Sequence, residues 1–226
     1  MRKIILVFLF QMISSVGFSQ ELMTVIQDAD VTQLLDLPGV VTLTDSSRIA
    51  GTVTGVYLSK GQLTNITLKL TDGSKRKFAA AELISAKIRL KTPTVFSVVD
   101  NQGQPIKKVI YTQVVFEQFV KDQQMGKTEF RQLLNPVYDS RIKIFADLSN
   151  SGRSPVINSG ASGNSMLIVI KGSVVLYVKG TDYKSDFKRI FSDCEKVVEA
   201  VSEEKIEFSG IASHTLLYDH YCGQVK

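Results

Sequence analysis

Between Val40 and Leu90 apolar and polar side chains alternate with a period of two, and turn residues interrupt the alternation at short intervals. A period of two is the signature of a half-buried strand, whereas a helix would repeat every 3.6 residues. "VVTLTD" puts Val41, Leu43 and Asp45 on one side and Val40, Thr42 and Thr44 on the other. In "RIAGTVTGVYL", Ile49, Gly51, Val53, Gly55 and Tyr57 share one parity. Two glycines inside one strand mark a bend or a close backbone approach. "ITLKLTDG" and "RKFAA" form a hairpin pattern around Asp72-Gly73. "AELISAKIRL" closes the region, with Ile84, Ala86, Ile88 and Leu90 alternating against Ser85, Lys87 and Arg89. Four or five short, bent strands in about 50 residues predict a small barrel.

Residues 91–108 hold two prolines and the turn cluster Asn101-Gln102-Gly103-Gln104, and are read as a connection. A second β region follows in "VIYTQVVFEQFV", "FRQLLN" and "SRIKIFADL". Residues 150–165 are a Gly/Ser/Asn loop, flexible by composition and a site for proteolysis. "MLIVI", Lys171-Gly172-Ser173 and "VVLYV" then make the best hairpin signal of the chain. After it the period changes. Tyr183, Phe187, Ile190 and Phe191 fall on one helical face. Ser192 and Glu195 have the spacing of a capping box, which starts a second helix. "SGIASHTLLYDHYCG" reads as a last helix with Ser209 as N-cap and Gly223 just past its end.

The first residues set the compartment. Arg2 and Lys3 precede an apolar run, Ile4 to Phe10, and then the small and polar "SSVGFSQ". This is the layout of a secretory signal peptide, with cleavage before Gln20. The run is too short for a membrane anchor, which needs roughly 20 apolar residues. Removing residues 1–19 takes away two basic residues and no acidic one, so the net charge falls from +5 to +3. The remaining lysines and arginines are scattered, apart from "KRK" at 75–77, which reads as a solvated hairpin tip. There is no tryptophan and no basic stripe interleaved with aromatics. Nucleic acid is therefore not an expected partner.

"HTLLYDHYC", residues 214 to 222, holds both histidines and one of the two cysteines. Cys194, His214, His220 and Cys222 are zinc-ligand types. On a regular helix, however, His220 and Cys222 point to opposite sides, and His214 and Cys222 stand roughly 12 Å apart along the axis. No metal and no cofactor are expected. A Cys-His catalytic pair needs hydrogen-bond reach, which the same geometry denies His220 and Cys222. The chain has no GxSxG, HExxH, P-loop or GxGxxG pattern. A disulfide fits best. The chain is exported, it has two cysteines, and each lies at a helix end that antiparallel packing brings near the other. Cys194 and Cys222 are therefore expected to be joined, with Cα atoms roughly 4.4–6.8 Å apart. His214 reads as a packed core residue and His220 as an exposed one.

Two resemblances add to this reading. "GTVTGV" resembles the bent second strand of SH3-like and Sm-like barrels. "LLNPVYDSRIKIFAD", the Gly-rich loop, the "KG" hairpin, "DFKRIFSDC" and "LYDHYC" are similar to uncharacterised secreted proteins of Bacteroidota, over much of residues 128–223. That likeness implies a localisation and no chemistry. The chain is thus read as α+β, mainly β. Residues 1–19 are the signal peptide, 20–95 a small SH3-like or Sm-like barrel, and 96–226 an antiparallel sheet with two or three short C-terminal helices. The expected function is that of a periplasmic or extracellular, non-catalytic protein that binds another macromolecule of the envelope or exterior. No transmembrane segment is expected after signal cleavage. The alternative is a secreted hydrolase-like enzyme whose site gathers distant residues around His214.

Overall fold

The structure is a computed structural model that describes residues 22, 28–99, 105–122, 126–147 and 166–223. The expected signal peptide at 1–19, the turn at 101–104 and the loop at 150–165 lie outside the described residues. A 3-10 segment, Asp28–Leu34, leads into ten antiparallel strands of one sheet. They are β1 (Pro38–Leu43), β2 (Arg48–Ser59), β3 (Gln62–Lys69), β4 (Lys75–Ala79) and β5 (Leu83–Val99). Then follow β6 (Pro105–Asp122), β7 (Lys127–Leu133), β8 (Ile142–Asp147), β9 (Met166–Lys171) and β10 (Val174–Lys179). The order across the sheet is β10-β9-β8-β7-β6-β5-β1-β2-β3-β4. One further pairing, Gln62 with Arg131, joins β3 to β7. It closes β1, β2, β3, β7, β6 and β5 into a six-stranded barrel, and β8 to β10 extend outward from β7. Helices α1 (Tyr183–Phe191), α2 (Glu195–Ala200) and α3 (Ile211–Cys222) end the chain. The expected face of α1 is realised, with Tyr183, Phe187, Ile190 and Phe191 all buried.

The reading of 91–108 as a connection is corrected. Residues 91–99 continue β5, residues 105–108 begin β6, and the two strands pair from Ser85↔Glu117 to Val99↔Pro105. Both prolines sit where a ladder tolerates a missing N–H. Pro93 falls in the register shift between Arg89 and Thr94, and Pro105 is the first residue of its strand. The division placed at 95/96 therefore falls inside β5. The barrel is not complete within 20–95, because β6 and β7 close it. One buried cluster takes Val41 and Phe78 from the first half and Ile144 and Phe187 from the second.

Bulges correct two side-chain assignments in the first region. Between Val53 and Gly55 the register of β2 against β3 shifts by one residue. Since a slip of one residue flips every later side chain, Val56 turns into the core and Tyr57 turns out, 56% exposed. A similar shift lies where Thr42↔Ser85 gives way to Leu43↔Leu83. It buries Leu83 and leaves Ile84, grouped by parity with Ala86 and Ile88, 41% exposed.

The close backbone approach expected at the glycines is present at Gly51. A Cβ there would stand 2.5 Å from the Lys69 carbonyl oxygen, so the strands could not keep their spacing. Gly51→Ala is expected to lower stability by about 1–3 kcal/mol, the usual cost of overpacking. Urea denaturation checks this, and an unchanged midpoint would contradict it.

Candidate functional site

The C-terminal cysteines come first. Cys194 and Cys222 are joined, with Cα atoms 6.1 Å apart, inside the range such a bridge spans. The elements around them differ from the expectation. Ser192 does not start a helix. It ends α1, donating its N–H to the Lys188 carbonyl, and Cys194 is the N-cap of α2. Nor does Ser209 cap α3, since that place belongs to Gly210. A Cβ on Gly210 would lie 2.8 Å from Cε1 of His214, so the imidazole packs on bare backbone. Gly223 follows α3 as expected, but in right-handed conformation, φ −72°. Cys194→Ser should cost about 3 kcal/mol in the chain-entropy account of a cross-link and leave one titratable thiol at Cys222. Equal stability of mutant and parent would sink this.

His214 is 4% exposed. Its Nδ1 lies 2.7 Å from the Tyr183 hydroxyl, its ring stacks on Tyr183, and Phe187 and Phe191 meet it edge-on. Burial raises the Tyr183 hydroxyl well above its ordinary value, so it stays protonated beside Nδ1. Burial also lowers His214 to about 4, which keeps the imidazole neutral. The helix thus places its one buried histidine in an aromatic cage. His220 is exposed, with its ring centre 4.9 Å from that of Tyr221. Among the described residues no three His, Cys, Asp or Glu side chains gather as metal ligands do.

The His214 environment makes a pH prediction. The unfolded chain takes up a proton near 6.5, and the folded chain resists it until about 4. The unfolded state therefore binds more protons in that window. Stability is full above pH 6.5 and falls by about 3 kcal/mol as the pH drops to 4. Denaturation midpoints measured across the window should show this slope, and His214→Gln should flatten it. Parallel slopes in parent and variant would contradict it.

A second polar group was not foreseen. β10 lies four strands from β6, about 19 Å away in a flat sheet. Yet Nζ of Lys121 on β6 stands 5.5 Å from the ring centre of Tyr177 on β10. The sheet curls over this face. Inside the curl lie Val115, Phe119, Leu133, Phe145 and Ile168, and beside them a charged network. Arg131 is 1% exposed. Its Nε donates to Glu129 at 2.6 Å, and its Nη1 reaches Asp147 and the Ala146 carbonyl, each at 3.2 Å. Lys121 donates to the other Glu129 oxygen at 2.7 Å. Burial works to raise the Glu129 carboxyl, but hydrogen bonds from Lys121 and Arg131 outweigh it and hold it below the ordinary range. Two cations and two carboxylates balance in charge.

The outer face of the barrel does not balance. Strands β1 to β5 carry eight Lys or Arg and no Asp or Glu. Over residues 38–99 there are nine Lys or Arg and three Asp or Glu, a net +6, against +5 for the whole chain. The three acids sit in turns and are occupied there. Asp45 accepts from Ser47 N–H, Asp72 from Ser74 N–H, and Glu82 from Ala79 N–H. Register brings Lys75 beside Lys69, and Lys77 beside Thr67, which pairs with Gly55. Over Gly55 lies the ring of Tyr57. A Cβ at position 55 would stand 3.2 Å from Tyr57 Cε2. Lys77 Nζ stands 5.6 Å from the ring centre. Among the described residues Lys69, Lys75 and Lys77 make no ion pair. The absence of acids from these strands was the signal in the sequence that could have found this face.

Among the described residues no helix is long and apolar enough to cross a membrane. No protein-family model, no curated protein and no solved structure matches the chain.

Proposed function

We propose that the chain is an exported, non-catalytic protein that binds a macromolecule of the cell envelope or exterior, and that it does so with the outer face of β1 to β5. The observation that carries this reading is the unpaired positive charge of that face around an exposed aromatic ring. The signal-peptide pattern and the disulfide support export. The occupation of His214 by Tyr183, in an aromatic cage, speaks for a packing role of the histidine. A helical lead-in followed by five strands in the order β5-β1-β2-β3-β4 supports reading that part as SH3-like or Sm-like. The C-terminal half is read as akin to secreted proteins of Bacteroidota.

The test is co-sedimentation of the mature protein with an isolated envelope fraction. The parent should be retained at low salt and released as salt screens the charges. Lys69→Gln/Lys75→Gln/Lys77→Gln should lose retention, and His214→Gln should keep it. Retention that survives the triple change would refute the assignment of this face.

A further inference from the structure

We infer that the polymer held on this face is a linear acidic polysaccharide, with one sugar ring laid on Tyr57 and its neighbouring acidic groups on Lys69, Lys75 and Lys77. The inference rests on the binding role proposed above and deepens it.

The first argument is that the platform is built. Tyr57 has the parity of the core residue Val53, and only the bulge between Val53 and Gly55 turns it outward. Bulges are a device for re-aiming a side chain. Gly55 then lets the ring lie down on the sheet, since any Cβ would meet it at 3.2 Å. The ring thus rests against Gly55 with Lys77 Nζ 5.6 Å from its centre, and Tyr57 remains 56% exposed. An aromatic ring held flat and open offers an apolar plane to a ring of similar size.

The second argument is charge. Cross-strand neighbours such as Lys69 and Lys75 lie about 5 Å apart at Cβ. Lys75 and Lys77 are separated by two residues of one strand, about 6.8 Å. Cations repeated at that spacing, beside the ring and without carboxylate partners, match a polymer that carries one anion per unit or every second unit. A compact or singly charged ligand would engage one lysine and leave the others unused.

The third argument selects the polymer. Sequence-tolerant binding of single-stranded nucleic acid uses a succession of aromatic platforms, one for each of several bases. Here, among the described side chains, Tyr57 stands among hydroxyl and amide groups. Thr52 and Thr67 flank the lysines in register, and Asn65 pairs with Tyr57. Hydroxyl and amide side chains suit a hydroxyl-rich chain. The cations next to the ring are lysines, point charges suited to carboxylates in varied geometry, and not the planar forks of arginine that favour phosphate. A lipid surface would instead ask for apolar side chains projecting from the face, and Tyr57 lies flat on it.

The experiment is a binding titration of the mature protein with four probes: alginate, neutral dextran, single-stranded oligothymidylate and phosphatidylglycerol vesicles. Alginate should bind, with an affinity that falls as salt rises, and dextran should not. Tyr57→Ala should weaken alginate binding about fivefold with an unaltered salt dependence, as loss of a stacking contact does. Tyr57→Phe should retain affinity. Gly55→Ala, which keeps every charge and displaces the ring by a few tenths of an ångström, should weaken binding in the same direction as Tyr57→Ala but less. The triple lysine variant should weaken it about tenfold or more and flatten the salt dependence. Circular dichroism of each variant checks that the fold is intact. The inference is overturned if Tyr57→Ala and Gly55→Ala bind alginate like the parent, or if the oligonucleotide or the vesicles bind more tightly than alginate. If envelope retention depends on the lysines while alginate does not bind, the polysaccharide assignment falls and the binding role stands.

Discussion

Arg131→Met should lower the unfolding free energy by about 3–5 kcal/mol, the usual cost of removing one partner from a buried ion pair. Arg131 bridges Glu129 of β7 and Asp147 of β8, and it also satisfies the Ala146 carbonyl. Without it both buried carboxylates lose that cation in a curled sheet lined by Phe119 and Phe145. Lys121 still holds one of them. In a domain of this size the change corresponds to a fall in melting temperature of about 10 °C. The deficit should shrink in acid, because protonating the stranded carboxylates removes the charge that burial penalises. Thermal unfolding at neutral and acid pH checks both parts. A loss below about 1 kcal/mol would mean that the network is hydrated and not buried. Arg131 also stands at the pairing that joins β3 to β7. The cost should therefore be felt in the barrel as well as in the outer strands.

The second large effect is expected at Asn135. It is fully buried between β7 and β8 and makes three hydrogen bonds. Its Nδ2 donates to the Tyr138 carbonyl at 3.0 Å and to the Ile142 carbonyl at 2.7 Å, and its Oδ1 accepts from Ile144 N–H at 2.8 Å. The amide thus fixes the turn that brings β8 back beside β7. Asn135→Ala orphans three backbone groups, each worth about 1–3 kcal/mol when buried, so a loss of about 4 kcal/mol is expected. Asn135→Asp keeps the size but sets a carboxylate against two carbonyl oxygens, and should cost as much at neutral pH. Chemical denaturation of both variants decides it. If Asn135→Asp were as stable as the parent, the donor role of the amide would be wrong.

How much of this was legible in the sequence depends on whether the signal was local. The α1 face and the β9–β10 hairpin rest on periodicity and on one glycine, Gly172, at φ +58°. Both were readable. The cysteine pairing was readable from the expected compartment and the count, although the helix ends that carry it were assigned to the wrong caps. Ser192-x-x-Glu195 has the spacing of a capping box, but α1 runs up to Phe191 and uses Ser192 to finish. The spacing alone cannot tell an end from a start. Prolines 93 and 105 suggested a connection because proline breaks regular ladders. Their actual positions, in a register shift and at a strand start, depend on pairing with a distant strand. The bulge that exposes Tyr57 is equally non-local, since it is set by what β3 offers opposite Val53 and Gly55. The basic face shows the same limit. Its lysines are scattered along the chain, and only the register of β3 with β4 gathers them. Arg131, Glu129 and Asp147 read as ordinary surface charges until the curl of the sheet encloses them.

The proposal that the barrel face, and not the His214 region, carries the function is tested most directly by amide hydrogen exchange of the protein with and without an added envelope fraction. The account predicts added protection over residues 52–57, 65–69 and 75–77 and unchanged exchange over 211–222. Added protection confined to 211–222, with β2 to β4 unaffected, would contradict it.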